Sequence, residues 1–180
     1  SGFAASANHS YDLPVSQHEH KAAAPGAVRV AVLTVSDTRT EATDTSGRAI
    51  RALLEEAGHV VSAAAIVPDD PDAVTGFVLD QLESDTQVVI TTGGTGITSR
   101  DSTYEAIDAL LEKRLDGFGE LFRMLSYHDI GAAAMMSRAC AGLTRGKVVI
   151  ALPGSEGAVR LAMTTLVMPE LRHLVQQASK

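Results

Sequence analysis

Val88-Val89-Ile90 is a short β-branched run that breaks off into Thr91-Thr92-Gly93-Gly94-Thr95-Gly96, and this junction narrows the possible folds more than any other stretch. Consecutive β-branched residues without polar alternation suit a strand covered on both faces, which is the position of a parallel strand inside an α/β protein. Such a strand ends in a loop where glycines permit positive φ and close approach by a ligand, and where successive backbone N–H groups can form an anion-binding concavity. Downstream, Ser102-Thr103-Tyr104-Glu105 has the spacing of a capping box, so a helix around Ala106–Leu111 is expected to direct its positive N-terminus at the same loop. The loop is neither a Walker loop, because Gly96 is followed by Ile97-Thr98-Ser99 where Gly-Lys-Ser/Thr is needed, nor a dinucleotide fingerprint, which wants an acidic residue after the next strand.

The rest of the chain repeats this strand-then-helix rhythm. Val28–Val35 predicts a first strand ending at Ser36-Asp37, followed by a helix over 47–57 with Thr45 as its cap and Gly58 as its stop. His59–Val67 predicts a second strand ending at Pro68-Asp69-Asp70; Asp70 caps the next helix, Pro71 takes its first position, and Val74, Phe77, Val78 and Leu82 mark its buried stripe. Helical segments are also expected over 118–125, over the Ala-rich stretch 132–141, over 155–166, and from Pro169 onward. Lys147–Leu152 predicts the fourth strand, closed by Pro153-Gly154-Ser155. Four strands alternating with helices predict an α/β fold, three layers deep, with helices on both faces of a largely parallel sheet. Residues 1–27 read as an N-terminal tail and 28–180 as one domain; His18-Glu19-His20 in the tail could bind a metal, against the commoner alternative of incidental histidines in such a segment.

Charge and cysteine content limit the function. A net charge of -7 excludes a general nucleic-acid or anionic-membrane binder, so any phosphate site has to be local. The single Cys140 excludes an internal disulfide and a structural zinc cluster, points to a cytoplasmic setting, and lies in a small-residue segment that suits the core. No apolar run approaches the ~18 residues of a spanning helix, and the first residues lack a signal-peptide pattern.

In an open parallel sheet, ligands bind beyond the carboxyl ends of the strands. Those ends here carry Ser36-Asp37, Asp69, the loop Gly93-Gly94-Thr95-Gly96, and Pro153-Gly154-Ser155. Glycine-rich loops beside carboxylates, with no lysine placed to meet a phosphate, point to a nucleotide whose charge is neutralised by Mg²⁺. Arg100, Arg123 and Arg138 are candidates for steering phosphates, against the ordinary alternative of solvated or paired arginines. Ser155 is not read as a nucleophile, since no histidine stands in a partner motif.

Taken together, TVSDTR (34–39), VPDD (67–70), TTGGTGITSRDSTYEA (91–106), GFGELFRMLS (117–126), SRACAG (137–142) and ALPGS (151–155) resemble the MoaB/MogA family of molybdopterin biosynthesis, from Val28 to Leu174. The resemblance implies an α/β/α domain assembled as a homotrimer or as a hexamer built from two trimers. It also implies a molybdopterin adenylyltransferase, a nucleotidyltransferase that uses Mg-ATP as co-substrate and prepares the pterin for a molybdenum-insertion enzyme. Carried over residue by residue, Asp69 and Asp101 match the family's acidic active-site positions and would share Mg²⁺. Gly93, Gly94, Thr95 and Gly96 would bind nucleotide phosphates; Ser36, Asp37, Pro153, Gly154 and Ser155 fall on the molybdopterin side. Glu156 departs from the pattern, where relatives often have Pro. Each carboxylate has a plainer rival role, Asp101 as a helix cap with Ser102 and Asp69 as a strand terminator. The alternative function is a non-catalytic molybdopterin-binding paralogue, a storage or scaffold protein.

Overall fold

The computed structural model describes residues 26–180. A six-stranded sheet runs through the centre in the order β2-β1-β3-β6-β5-β4. Its strands are β1 (Arg29–Val35), β2 (Val60–Val67), β3 (Val88–Thr92), β4 (Lys113–Arg114), β5 (Cys140–Thr144) and β6 (Lys147–Leu152). The first four in that order are parallel and the edge pair β5 and β4 is antiparallel. The helices are α1 (Thr45–Glu56), α2 (Pro71–Glu83), α3 (Thr103–Leu110), α4 (Asp116–Ile130), α5 (Glu156–Ala162) and α6 (Met168–Ala178). A 3₁₀ turn (Gly131–Met136) follows α4, and a π turn (Met163–Val167) joins α5 to α6 without a break.

Alternation along the strands sends successive side chains to opposite faces, and both faces are covered. Val30, Val32, Val88, Ile90, Val148 and Ile150 pack with Ile50 and Leu54 of α1, Phe122 of α4, Val159 of α5 and Leu171 of α6. Ala31, Leu33, Val89, Val149 and Ala151 pack with Val74, Val78 and Leu82 of α2 and Ile107 of α3. Each fully buried aliphatic side chain contributes about 1.5–3 kcal/mol, so the two cores are what hold the strand ends in register. Thr34 pairs with Thr92, and Thr92 with Leu152, which brings three loops to one edge at the same height.

The sequence expectation of four strands and a helix over 132–141 is corrected here. Gly131, at φ 65°, stops α4; the Ala-rich segment makes only the 3₁₀ turn, and Cys140–Thr144 joins the sheet. Arg145 and Gly146, both at positive φ, form a two-residue hairpin that folds β5 back on β6, with Thr144 opposite Lys147. Pairing with an already buried strand outweighs the high local helix propensity of the Ala- and Met-rich segment, an override of propensity by tertiary contacts. The expected cap Thr45 is replaced by Asp44, whose Oδ1 accepts from the Gly47 N–H at 2.9 Å while Oδ2 accepts from Thr34 Oγ1 of β1 at 2.7 Å. Asp70 caps α2 as expected, accepting from the Ala73 N–H, and Pro71 opens the helix. Apart from Gly26 and Ala27, the N-terminal tail, with His18 and His20, lies outside the described residues.

Candidate functional site

The end of β3 is clamped to its neighbours before the loop begins. Thr92 Oγ1 donates to the Pro153 carbonyl at 2.8 Å and the Gly93 N–H to the Leu152 carbonyl at 3.1 Å. A Cβ built on Gly154 would lie 3.2 Å from Gly93 Cα, so the two glycines let the loops after β3 and β6 touch. The Gly154 carbonyl accepts from Ser46 Oγ at 2.7 Å and from Arg39 Nη2 at 3.2 Å, which ties the Pro153–Ser155 segment to the start of α1. Ser155 caps α5, accepting from the Ala158 N–H at 3.3 Å.

Three successive loop carbonyls are drawn into the protein. That of Gly94 accepts from the Thr103 N–H at 2.9 Å, that of Thr95 from Arg138 Nε at 2.9 Å, and that of Gly96 from Arg138 Nη2 at 2.5 Å. Among the described residues, no acceptor takes the N–H groups of Gly94 and Thr95. Free amides on a loop whose carbonyls are tied back are the arrangement an anion requires. The Gly93 amide differs, since Leu152 already engages it.

Both sequence-predicted carboxylates abut this loop. Cβ atoms built on Gly94 and Gly96 would fall 2.8 Å from Asp69 Oδ2 and 2.5 Å from Asp101 Oδ2. Asp69 Oδ1 accepts from Ser102 Oγ at 3.1 Å, from Thr103 Oγ1 at 3.4 Å and from the Ser102 N–H at 3.4 Å. The expected capping box therefore does not form: Ser102 bonds Asp69, and Glu105 pairs with Arg138. Asp101 closes the loop on itself, accepting at Oδ2 from Thr98 Oγ1 at 2.6 Å and from the Thr98 N–H at 2.9 Å. The Thr98 hydroxyl bond, aided by the Thr98 and Gly96 amides and by Arg138, holds the Asp101 carboxyl below its ordinary range against the opposing effect of burial.

Ser36 and Asp37 serve this edge as brackets. Ser36 Oγ accepts from the N–H groups of Arg39 at 3.1 Å and Thr38 at 3.3 Å. Asp37 accepts the Asp69 N–H at 3.2 Å on Oδ1 and Arg100 Nη2 at 2.5 Å on Oδ2. The structure thus brings together Asp37, Asp69, Asp101 and the glycine loop, and joins Ser36 and Pro153-Gly154-Ser155 to them through Arg39. Arg100 is paired, and Arg123 stands apart, in a separate cavity of about 230 Å³ with Tyr104 and Cys140. Burial pushes the Cys140 thiol up to about 12, consistent with a core residue. Glu156 lies at the start of α5 in an ion pair with Arg160 at 2.8 Å. Residues that sequence reasoning passed over are Arg39, Ser46 and Thr98; Arg39 closes the block TVSDTR, and that position was the available signal.

Cavities of about 500 and 460 Å³ lie elsewhere, one against α4 and α6 and the other between His59 and α6. The loop site is defined by its polar groups, since phosphate recognition rests on donors and charge rather than on enclosure. No helix among the described residues is long and apolar enough to cross a membrane.

Comparison with known proteins agrees with this geometry. Residues 31–173 match the family described as "Probable molybdopterin binding domain". The molybdenum cofactor biosynthesis protein B of Bacillus cereus is 55% identical over 158 residues, covering 87% of this chain and 94% of the relative. That of Bacillus subtilis is 52% identical over 168 residues, covering 92% and 99%. A crystal structure of a molybdenum cofactor biosynthesis protein B superposes with a TM-score of 0.84 at 54% identity, over 86% of this chain and 98% of the other. The tungsten cofactor synthesizing protein MoaB from Pyrococcus furiosus superposes with a TM-score of 0.79 at 40% identity, over 87% and 100%. With its family match over most of its length, relatives above half identity and a shared fold, the chain belongs to the MoaB/MogA family of molybdenum cofactor biosynthesis proteins.

Proposed function

We propose that the protein is a molybdopterin adenylyltransferase. The observation that carries this reading is the loop 93–96, whose carbonyls are turned inward and whose free amides sit between Asp69 and Asp101. A terminal phosphate oxygen of molybdopterin attacks the α-phosphorus of ATP; the new P–O bond forms as the bond to the β-phosphate oxygen breaks, and pyrophosphate leaves. Such transfers depend on alignment and charge neutralisation more than on covalent help. The amides of Gly94 and Thr95 hold nucleotide phosphate, α3 adds the positive end of its dipole, and the Pro153-Gly154-Ser155 side with Ser36 and Asp37 receives the pterin.

We infer Mg²⁺ as the cation from the chemistry of the donors, since Asp69 and Asp101 offer hard carboxylate oxygens beside Gly94 and Gly96 of the loop. A cation held by two carboxylates and completed by phosphate oxygens and water is the usual Mg²⁺ arrangement, and there it would neutralise charge on the phosphates. The product would pass to a molybdenum-insertion enzyme in the cytoplasm.

One observation favours a second reading, a pterin-binding paralogue without turnover: Asp69 and Asp101 are already engaged by Ser102, Thr103 and Thr98. Incubating the purified protein with molybdopterin and Mg-ATP decides between them. The adenylylated pterin and pyrophosphate are the expected products; bound pterin with no AMP adduct and no need for Mg-ATP would establish the paralogue.

A symmetric homotrimer, alone or doubled into a hexamer, is the expected assembly. Leu121, Met124, Tyr127 and Ile130, spaced three apart on α4, are each about half exposed, and Met135, at 78%, and Met136 extend the patch. Contiguous apolar surface of this kind marks an interface, and the stripe lies beside the small-residue turn 131–134. Light scattering should give a trimer multiple, and Met124→Asp with Ile130→Asp should dissociate it; a wild-type monomer throughout the micromolar range sinks the assignment.

A further inference from the structure

Arg138 is positioned to meet a phosphate by sequence, yet most of its guanidinium is already committed within the protein. Its Nε donates to the Thr95 carbonyl, Nη2 to the Gly96 carbonyl and to Glu105 Oε2 at 3.2 Å, and Nη1 to Glu105 Oε1. Four of the five N–H donors are thereby engaged. One face of the plane is covered as well, since Arg138 Cζ stands 4.8 Å from the centre of the Tyr104 ring. Glu105 and Tyr104 both belong to the first turn of α3, so the guanidinium is fixed to the helix on one side and to the loop on the other. Only a planar fork can hold two neighbouring carbonyls and a carboxylate at once; a lysine ammonium carries the same charge without that geometry.

We infer that Arg138 is the positioning residue of the glycine loop: it holds the Thr95 and Gly96 carbonyls against α3, fixed by Glu105 and Tyr104, so that the loop's amides face the incoming phosphates. Arg138 acts through the loop and does not itself touch the nucleotide. Burial is consistent with this role, for its side chain is 26% exposed while Arg100, which makes a single ion pair, is 79% exposed. The Arg138 bond also holds the Glu105 carboxyl below its ordinary range, so the anchor is charged throughout the neutral pH range. As the loop it orders is the proposed phosphate cradle, the inference deepens the adenylylation reading.

Arg138→Lys against Arg138→Gln separates a positioning fork from a charge that attracts phosphate. If Arg138 positions the loop, both variants lose the two carbonyl bonds, and amide hydrogen exchange at Thr98 and Thr103, whose N–H groups are bonded to Asp101 and to the Gly94 carbonyl, accelerates by about tenfold or more in each, the scale of a lost hydrogen bond to a charged group. Glu105→Gln, which leaves the guanidinium but weakens its anchor, gives a smaller acceleration. Affinity for Mg-ATP falls about as far in Arg138→Lys as in Arg138→Gln, while molybdopterin affinity stays within about twofold of wild type. Wild-type exchange at the loop in Arg138→Lys overturns the inference, because charge alone then suffices. Should the wild-type protein bind no nucleotide, the adenylylation reading falls and loop exchange still decides the role of Arg138.

Discussion

Asp101→Asn is expected to lower adenylylation by about 10²–10³, the scale for removing one preorganised electrostatic element, with little change in stability. Asparagine keeps the size of the side chain and one acceptor oxygen, so it can still take the Thr98 N–H or the Thr98 hydroxyl, the two bonds that close the loop. The negative charge beside Gly96 is lost. The stability cost is expected to stay within about 1 kcal/mol, because the side chain is only half-buried and its electrostatics are screened by solvent. Since the folded carboxyl is held low, its stabilising contribution is present above the ordinary aspartate value of about 3.9 and is lost only as the pH falls through the lowered folded value. The wild-type loop should therefore keep its closure down to about pH 4, whereas the Asn variant should show no acid transition from this site. Asp69→Asn should behave similarly in turnover if it shares the metal, and the double variant should lose less than the sum, because groups acting as one unit are not additive. Pterin binding should survive in all three variants. Normal adenylylation by Asp101→Asn would mean that the metal is held elsewhere and that Asp101 serves only to close its loop.

What was legible in the sequence depended on how far away each residue's partner lies. The buried strands, the cap at Asp70 with Pro71, and the gathering of polar loops at one sheet edge rest on local periodicity and on the geometry of parallel sheets, and all are present in the structure. The misassigned caps share a different cause. Thr45 yields to Asp44 because Asp44 has a partner in Thr34, ten residues earlier and on another element. The Ser102–Glu105 box yields because Asp69 and Arg138, each 33 residues from its partner, compete for the two side chains with stronger bonds. Likewise, the strand Cys140–Thr144, paired between β6 and β4, has no β-branched signature except at its last residue, and its turn is Arg-Gly rather than Asn-Gly. Local propensity cannot weigh contacts that exist only once the sheet is assembled. The same limit applied at the site: the sequence placed Gly93 to Gly96 together, whereas only the fold distinguishes a glycine that locks strands from one that faces a ligand.

That distinction predicts opposite consequences for two adjacent substitutions. Gly93→Ala should destabilise the protein severely, by about 3–5 kcal/mol out of the 5–15 typical of a domain. Gly93 has φ 100°, outside the region a side chain adopts easily, and the new Cβ would lie 2.1 Å from the Val35 carbonyl oxygen. That oxygen is backbone at the end of β1, and β1 cannot retreat, because Thr34 is registered against Thr92 and Thr92 against Leu152, with the Gly93 N–H bonded to the Leu152 carbonyl. Gly94→Ala meets movable groups instead. Its φ of 64° lies in the left-handed region, costing roughly 1–2 kcal/mol for a non-glycine residue, and its Cβ would collide with Thr103 Oγ1 at 2.1 Å and with the Asp69 oxygens at 2.8 and 2.9 Å. Those side chains can rotate away, but only by displacing the carboxylate assigned to the metal. Urea unfolding should therefore show a large loss of midpoint for Gly93→Ala and a small one for Gly94→Ala. Turnover of the folded fraction should rank the other way, reduced about 10²-fold or more in Gly94→Ala and far less in Gly93→Ala. A Gly93→Ala variant with a wild-type unfolding midpoint and no turnover would reverse the assignment, making Gly93 a ligand-facing residue and not the lock between β1, β3 and β6.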